Sequence, residues 1–293
     1  MDIVNPTFRR YAEKIIRTLM AHVQHHPAII GWQLDNETKH YDNIGRYMQE
    51  GFVRSLREHY PDLARLNKDF GLDYWSNRID SWQDFPPVEN TINASLACAF
   101  SRYQRQQVTG YLAWQADIVR EYAQPHQFVT HNFDFEWRGY SYGVQPRVDH
   151  FAAAQALDIA GVDIYHPSQK HLTGREIAFG GAITRSLKQG KNYFVLETQA
   201  QGFAQWTPFP GQLRLQAFSH VASGAAMVSY WHWHSIHNSF ETYWKGLLSH
   251  DFSRNATWQE ATTIGADFAR LSPQLAELKA ENDVALLVSN EAM

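Results

Sequence analysis

Residues 28–37 read AIIGWQLDNE, and no other stretch narrows the possible folds of this chain as much. The apolar run 29–34 is too short for a helix and stops abruptly at Asp35, Asn36 and Glu37. That is the pattern of a buried parallel strand delivering polar groups at its carboxyl end. In α/β barrels, carboxylates in that position do chemistry. The same residues also fit a strand running into a solvated, Asn-rich turn in which Glu37 only caps the next element.

A second segment repeats the form. In KNYFVLETQ, residues 191–199, positions 193–196 read as a buried strand that ends in Glu197. Two glutamates at two strand ends are the residue types of an acid and base pair. Retaining glycosidases hold two carboxyl groups about 5–5.5 Å apart, one as proton donor and later base, the other as nucleophile.

Further along come SYWHWHSIH (229–237) and FETYWKGLLSHD (240–251). Together with Asn36-Glu37 and Glu197, these segments resemble family 42 of the glycoside hydrolases, the β-galactosidases, over nearly the whole chain. The resemblance implies an α/β fold, a retaining (β/α)8 TIM barrel that needs no cofactor, with the acid/base Glu37 after strand 4 and the nucleophile Glu197 after strand 7. It further implies that Asn36 meets the sugar 2-hydroxyl and that Trp75, in DYWS, and Trp206 wall the sugar. On the same ground Tyr165 hydrogen-bonds the nucleophile or lines the cleft, and Glu241 and Trp244 contact galactose hydroxyls. Trp231, at the end of the last barrel strand, completes the set of substrate-binding candidates. Many family members carry a cysteine cluster for zinc after the Asn-Glu pair. Here that stretch is Thr38-Lys39-His40-Tyr41-Asp42, so no structural zinc is expected.

Composition agrees with a small neutral substrate. A formal net charge of -4 over 293 residues argues against nucleic acid or an anionic membrane surface as a partner. No apolar stretch reaches the 18 or so residues needed to cross a bilayer. Cys98 is the single cysteine, which excludes an internal disulfide and points to a reducing, cytoplasmic setting. The 10 Trp, 14 Tyr and 17 Phe can stack on sugar C–H faces or pack a core. Sequons at Asn36, Asn93 and Asn255 carry no weight.

Taken in order, the chain opens with an amphipathic helix: Asn5 caps it, Pro6 suits its first turn, and Phe8, Tyr11, Ala12, Ile15, Ile16, Leu19 and Val23 form one stripe. Helices follow over 43–59, 93–123, 174–189, 212–223 and 256–279, with 61–90 as a long irregular excursion. Strands are expected at 127–131, 158–164 and 225–231, beside the two already named. Asp134 and Glu136 fall beyond their strand and read as structural or rim residues. Alternating His232 and His234, with His237, tempt a metal reading, but no third ligand stands at a fixed spacing, and a polar cleft floor is the reading adopted.

The first strand thus follows a helix. If Glu37 closes strand 4, strands 4 to 8 are present and strands 1 to 3, on the order of 100 residues, are absent. An incomplete barrel over 1–281 is the expectation, with 282–293 opening a following α/β domain whose first strand is 283–289. In the family that domain serves trimer contacts, so the intact protein is expected to be a homotrimer. Two rivals stay open: a retaining barrel glycosidase of other sugar specificity, and an inactive carbohydrate-binding fragment.

Overall fold

The computed structural model describes residues 1–136, 143–167, 171–201, 207–276 and 278–292. Short parallel strands run through its middle: β1 (Gly31–Gln33), β2 (Phe128–Thr130), β3 (Asn132–Phe133), β4 (Gly161–Asp163), β5 (Tyr193–Gln199) and β6 (Ala225–Trp231). β1 pairs with β2, and β3, β4, β5 and β6 pair in that order, every pairing parallel. Because only His131 separates β2 from β3, the strands form one arc in chain order, with five strand positions. The helices between them are α1 (Pro6–Val23), α2 (Arg46–His59), α3 (Leu63–Phe70), α4 (Ala94–Arg120), α5 (His150–Ala153), α6 (Arg175–Leu187), α7 (Gln212–Ala222) and α8 (Ala256–Leu275). Strands alternating with helices and lying side by side in sequence make an incomplete (β/α)8 barrel.

Local chemistry sets the helix starts. Asn5 Oδ1 accepts from Thr7 and Phe8 N–H with Pro6 in the first turn, while Asn93 and Asn255 cap α4 and α8 through Leu96 and Trp258 N–H. Two of the three sequon asparagines are therefore committed as helix caps. The main core lies between sheet and helices, with Leu112, Val162, Val195 and Tyr193 fully enclosed. Each such aliphatic side chain contributes about 1.5–3 kcal/mol on leaving water.

Three expectations are corrected. The excursion 61–90 is not irregular throughout: Asp62 caps α3, and Gly71, left-handed at φ 62°, ends it. Leu66 and Leu72 then pack with Met48 and Phe52 of α2 and Phe100 of α4 in a second core. The stripe of α1 is split, because Phe8, Ile16 and Met20 join the main core while Tyr11, Ile15 and Leu19 stay exposed at 55, 68 and 54%. β1 has a free edge as well, where no further strand pairs among the described residues. Residues 283–289 form no strand, since they have no ladder partner among the described residues, and Leu287 is 95% exposed. Beyond them Asn290 donates to the Gln145 and Val148 carbonyls and Glu291 pairs with Arg105, tying the tail back to the barrel. No helix among the described residues is long and apolar enough to cross a membrane.

Candidate active site

At the carboxyl ends of the strands lies a cavity of about 630 Å³ lined by Asn36, Glu37, Lys39, Asp134, Phe135, Tyr165, Glu197, Trp231, Glu241, Tyr243 and Trp244. Glu37 enters it from a bent backbone. Asp35 and Glu37 take left-handed φ of 44° and 43°, a conformation that surrounding contacts must enforce on a non-glycine residue. They do so through the β2–β3 junction. His131 Nδ1–H donates to Leu34 O (2.6 Å), His131 Nε2 accepts from Thr38 N–H (3.2 Å), and Asn132 Oδ1 accepts from Glu37 N–H (3.3 Å). Burial holds His131 down at about 4, so its ring is neutral and free to play both parts.

Glu197 sits within β5, two residues before its end, and not just past it as the sequence implied. Its Oε2 accepts from the Tyr165 hydroxyl at 2.6 Å. Asn132 Nδ2 donates to Asn36 Oδ1 (2.8 Å) and Asp163 Oδ2 (2.7 Å) and leans toward Glu197 Oε1 (3.4 Å). Oxygens of Glu37, Asp163 and Glu197 lie within 4.8 Å of one another. Burial, then Asp134, pushes the Glu37 carboxyl up to about 7. Lys39 opposes this, and Glu197 adds less to the rise than burial does. Glu197 is also raised by burial, against which the Tyr165 hydrogen bond works. Burial and then Glu197 push Asp163 well above the carboxylate range. Burial, then Glu197, keeps Tyr165 protonated far into alkali.

Part of the cavity wall, Glu241, Tyr243 and Trp244, comes from the loop after β6. Gly246 allows it: a Cβ there would fall 2.3 Å from the carbonyl carbon of His234. Residues 244–248 therefore lie against 232–236, with Leu247 N–H on His232 O and Ile236 N–H on Trp244 O. Trp244 is thereby set 5.2 Å, centroid to centroid, from the Tyr165 ring.

Seven of the nine candidate residues thus meet in one cavity: Glu37, Glu197, Asn36, Tyr165, Trp231, Glu241 and Trp244. Trp75 does not. It stacks on Tyr74 on a short 3₁₀ turn and is 73% exposed, because the second core holds the excursion together and leaves that turn to solvent. Trp206 lies outside the described residues. The histidine run is not a cleft floor either. His232 Nδ1 and His234 Nδ1 bond to backbone carbonyls, and His234 and His237 pack against Phe252 behind the wall.

Asp163, Asn132, Asp134 and Lys39 escaped the sequence reading as parts of the site. Lys39 pairs with Asp134, which also accepts from Gln145, so Asp134 is a cavity residue rather than a rim one. A carboxylate ending a strand was the available signal for Asp163. Asn132 offered none, since its value lies in five contacts that converge only in space. Where family members carry zinc cysteines, this chain has His40 beside Asp42, and Cys98 is exposed on α4, so that donor set does not fit zinc.

A parallel arc with paired glutamates over its strand ends is the architecture of a (β/α)8-barrel glycoside hydrolase. The family profile described as Beta-galactosidase, glycoside hydrolase family 42, matches residues 1–271. The chain belongs to that family. It is 30% identical to a beta-galactosidase of Thermus thermophilus over 315 residues, covering 98% of this chain and 46% of that one. It is also 30% identical to the beta-galactosidase BgaH of Haloferax lucentense, over 88% of this chain and 41% of that one. In fold it matches the crystal structure of a beta-galactosidase from Rahnella sp. R3 with a TM-score of 0.88 at 23% identity, over 99% of this chain and 43% of that one. The chain therefore spans less than half the length of the relatives it matches.

Proposed function

We propose that this chain carries the hydrolytic centre of a retaining β-galactosidase that removes terminal non-reducing β-D-galactose from galactosides. The observation that carries the reading is the approach of Glu37 and Glu197 oxygens to within 4.8 Å across one cavity. That proximity is of the order of the 5–5.5 Å carboxyl separation of retaining enzymes and leaves no room for the water that inverting ones place between their acids. The two environments divide the roles. Glu37, raised to about 7, keeps a proton to give the departing glycosidic oxygen. Glu197, held by the Tyr165 hydroxyl, is the carboxylate that attacks the anomeric carbon. Glu37, now ionised, then takes a proton from water, which attacks the glycosyl–Glu197 bond and releases galactose with its configuration retained.

Asn36 directs Oδ1 to Asn132, which leaves its Nδ2 to donate to the 2-hydroxyl as the oxocarbenium-like transition state forms. Trp231 and Trp244 offer apolar faces to the ring and Glu241 an acceptor for its hydroxyls. From the resemblance we propose that Trp206 also serves sugar binding. For the intact protein we infer a homotrimer in the cytoplasm, with 1–281 as its partial barrel and 282–293 opening the next domain. The lone free cysteine supports the compartment.

Azide separates the roles. Glu197→Ala should form α-galactosyl azide, because the anion attacks the face the nucleophile vacated. Glu37→Ala should keep turnover of substrates with good leaving groups and yield the β-azide. Interchanged product anomers would overturn the assignment. A nitrophenyl glycoside panel tests the sugar, with the galactoside expected to be hydrolysed fastest.

A further inference from the structure

Asp163 ends β4 and takes no part in the mechanism just given, yet it is the most deeply buried acid of the site, at 1% exposure. Its two oxygens differ. Oδ2 accepts from Asn132 Nδ2 at 2.7 Å, whereas Oδ1 is buried and receives no hydrogen bond from any N–H or hydroxyl among the described residues. A buried carboxylate oxygen is seldom left in that state, because nothing replaces the water it loses.

The groups around it explain why. From the segment after β1 comes Glu37, and from β5 comes Glu197, each with an oxygen within 4.8 Å. The Tyr165 hydroxyl, two residues on, is committed to Glu197. Lys39 is committed to Asp134, and His166 gives its Nδ1–H to Glu176. Glu241, from the loop after β6, adds only more negative charge near Glu197. Among the described residues no cation is left to pair with Asp163. Three ionised carboxylates at this spacing, out of water, repel one another, and a proton between two of them removes both the repulsion and the unmatched oxygen.

We propose that Asp163 is a positioning residue of the hydrolytic site: its carboxyl keeps a proton on Oδ1 at neutral pH and donates it as a hydrogen bond to Glu37. Asp163 is absent from the cavity lining, so the proton is not passed to the sugar. It acts through Glu37, whose carboxyl oxygen lies within 4.8 Å of its own. A donor on one Glu37 oxygen fixes the rotation of that carboxyl and leaves the other oxygen for the glycosidic bond. It also favours the ionised form of Glu37 that appears once the acid has acted, which makes Glu37 a stronger acid at the moment of transfer. Burial, with the charges of Glu197 and Glu37, acts in the same direction on Asp163 itself. The proposal rests on the reading of Glu37 as acid/base, but the proton can be detected without turnover.

The first measurement is carbon-13 NMR of the chain labelled at the aspartate side-chain carboxyl. One aspartate resonance should remain at the protonated position at about pH 7 and should be missing from Asp163→Asn. Titration of every aspartate below about pH 5 would overturn the proposal, whether or not the chain hydrolyses galactosides. So would loss of the protonated resonance on adding calcium or zinc with stoichiometric binding, which would make the three carboxylates a cation site. The second measurement is the pH profile of nitrophenyl β-galactoside hydrolysis. Asp163→Ala removes the donor and should lower kcat about tenfold to a hundredfold, with KM little changed. It should also move the alkaline limb to higher pH, because Glu37 then holds its proton more tightly. Asp163→Asn keeps an N–H donor and should hold that limb in place. A limb displaced to lower pH in Asp163→Asn would show that the substitution had removed a negative charge, and so that Asp163 is ionised in the working enzyme.

Discussion

Replacing Glu37 by glutamine probes the electrostatics of the site without requiring turnover. In the unfolded chain this carboxyl titrates near 4.5, whereas in the folded protein burial, helped by Asp134, pushes it up to about 7. Between those values the folded protein keeps a proton that the unfolded chain has released, so stability falls as pH rises through the window. Below the unfolded value both states hold the proton and Glu37 carries no penalty. Above the folded value the penalty is complete. A separation of about 2.5 pH units corresponds to about 3 kcal/mol. Glutamine has nearly the same shape and no charge to bury, so Glu37→Gln should match the parent near pH 4 and exceed it by up to about 3 kcal/mol near pH 8. For a chain of this size that is a rise in Tm of about 6–12 °C. Melting followed by circular dichroism across this pH range measures it. A difference in Tm that is constant with pH, or that grows toward acid, would refute the argument.

Three further outcomes follow from the geometry. Tyr165→Phe deletes the 2.6 Å donor to Glu197 and should lower kcat about tenfold to a hundredfold while moving the acid limb of the pH profile upward, since the nucleophile then ionises less readily; a profile with an unmoved acid limb would contradict it. Because β1 and β6 each lack a partner on one side among the described residues, and Tyr11, Ile15 and Leu19 of α1 are exposed, the chain alone should hydrolyse nitrophenyl β-galactoside far more slowly than a version extended upstream by further β/α units. Comparable turnover numbers in the two would show that the open edges do not matter. Elemental analysis should find well under one equivalent of zinc, with Tm insensitive to chelators; stoichiometric metal would require another account of the histidines around Phe252.

Much of the site was legible because burial and polarity change at the same residues. Where apolar runs end before Glu37 and Glu197, the structure has strands that deliver those two side chains to the cavity. The helix starts at Pro6 and Ala94 were equally clear, since Asn5 and Asn93 announce them. Strand lengths were less so: β1 and β4 are each three residues, because ladder pairing stops where the chain bends into the site while the apolar run continues. Helix α3 was hidden by its eight-residue length, too short for a stripe to stand out, though Asp62 and Gly71 mark both its ends. Trp75 failed for a different reason. Which way a loop aromatic points depends on the packing beneath it, here Leu66 and Leu72 on α2 and α4, and the pattern of the loop itself does not encode that. Asn132 shows the remaining limit, because convergence of partners from three segments is a property of the folded arc alone.

The order of the strands has a consequence for how the chain comes together. As it emerges in synthesis, β4, β5 and β6 each find a neighbour finished just before them, with Gly161 beside Asn132, Phe194 beside Gly161 and Met227 beside Phe194. Gly31 is different: it waits for Phe128, with α2, α3 and α4 made in between. Closing that loop carries the largest entropy penalty of any strand pairing in the arc. The two glutamates are therefore assembled by unlike routes. Glu197 is carried into place by local addition, whereas the hold of His131 and Asn132 on residues 34–38 forms only when that distant segment returns, so slow or faulty closure would leave a nucleophile beside a poorly placed acid.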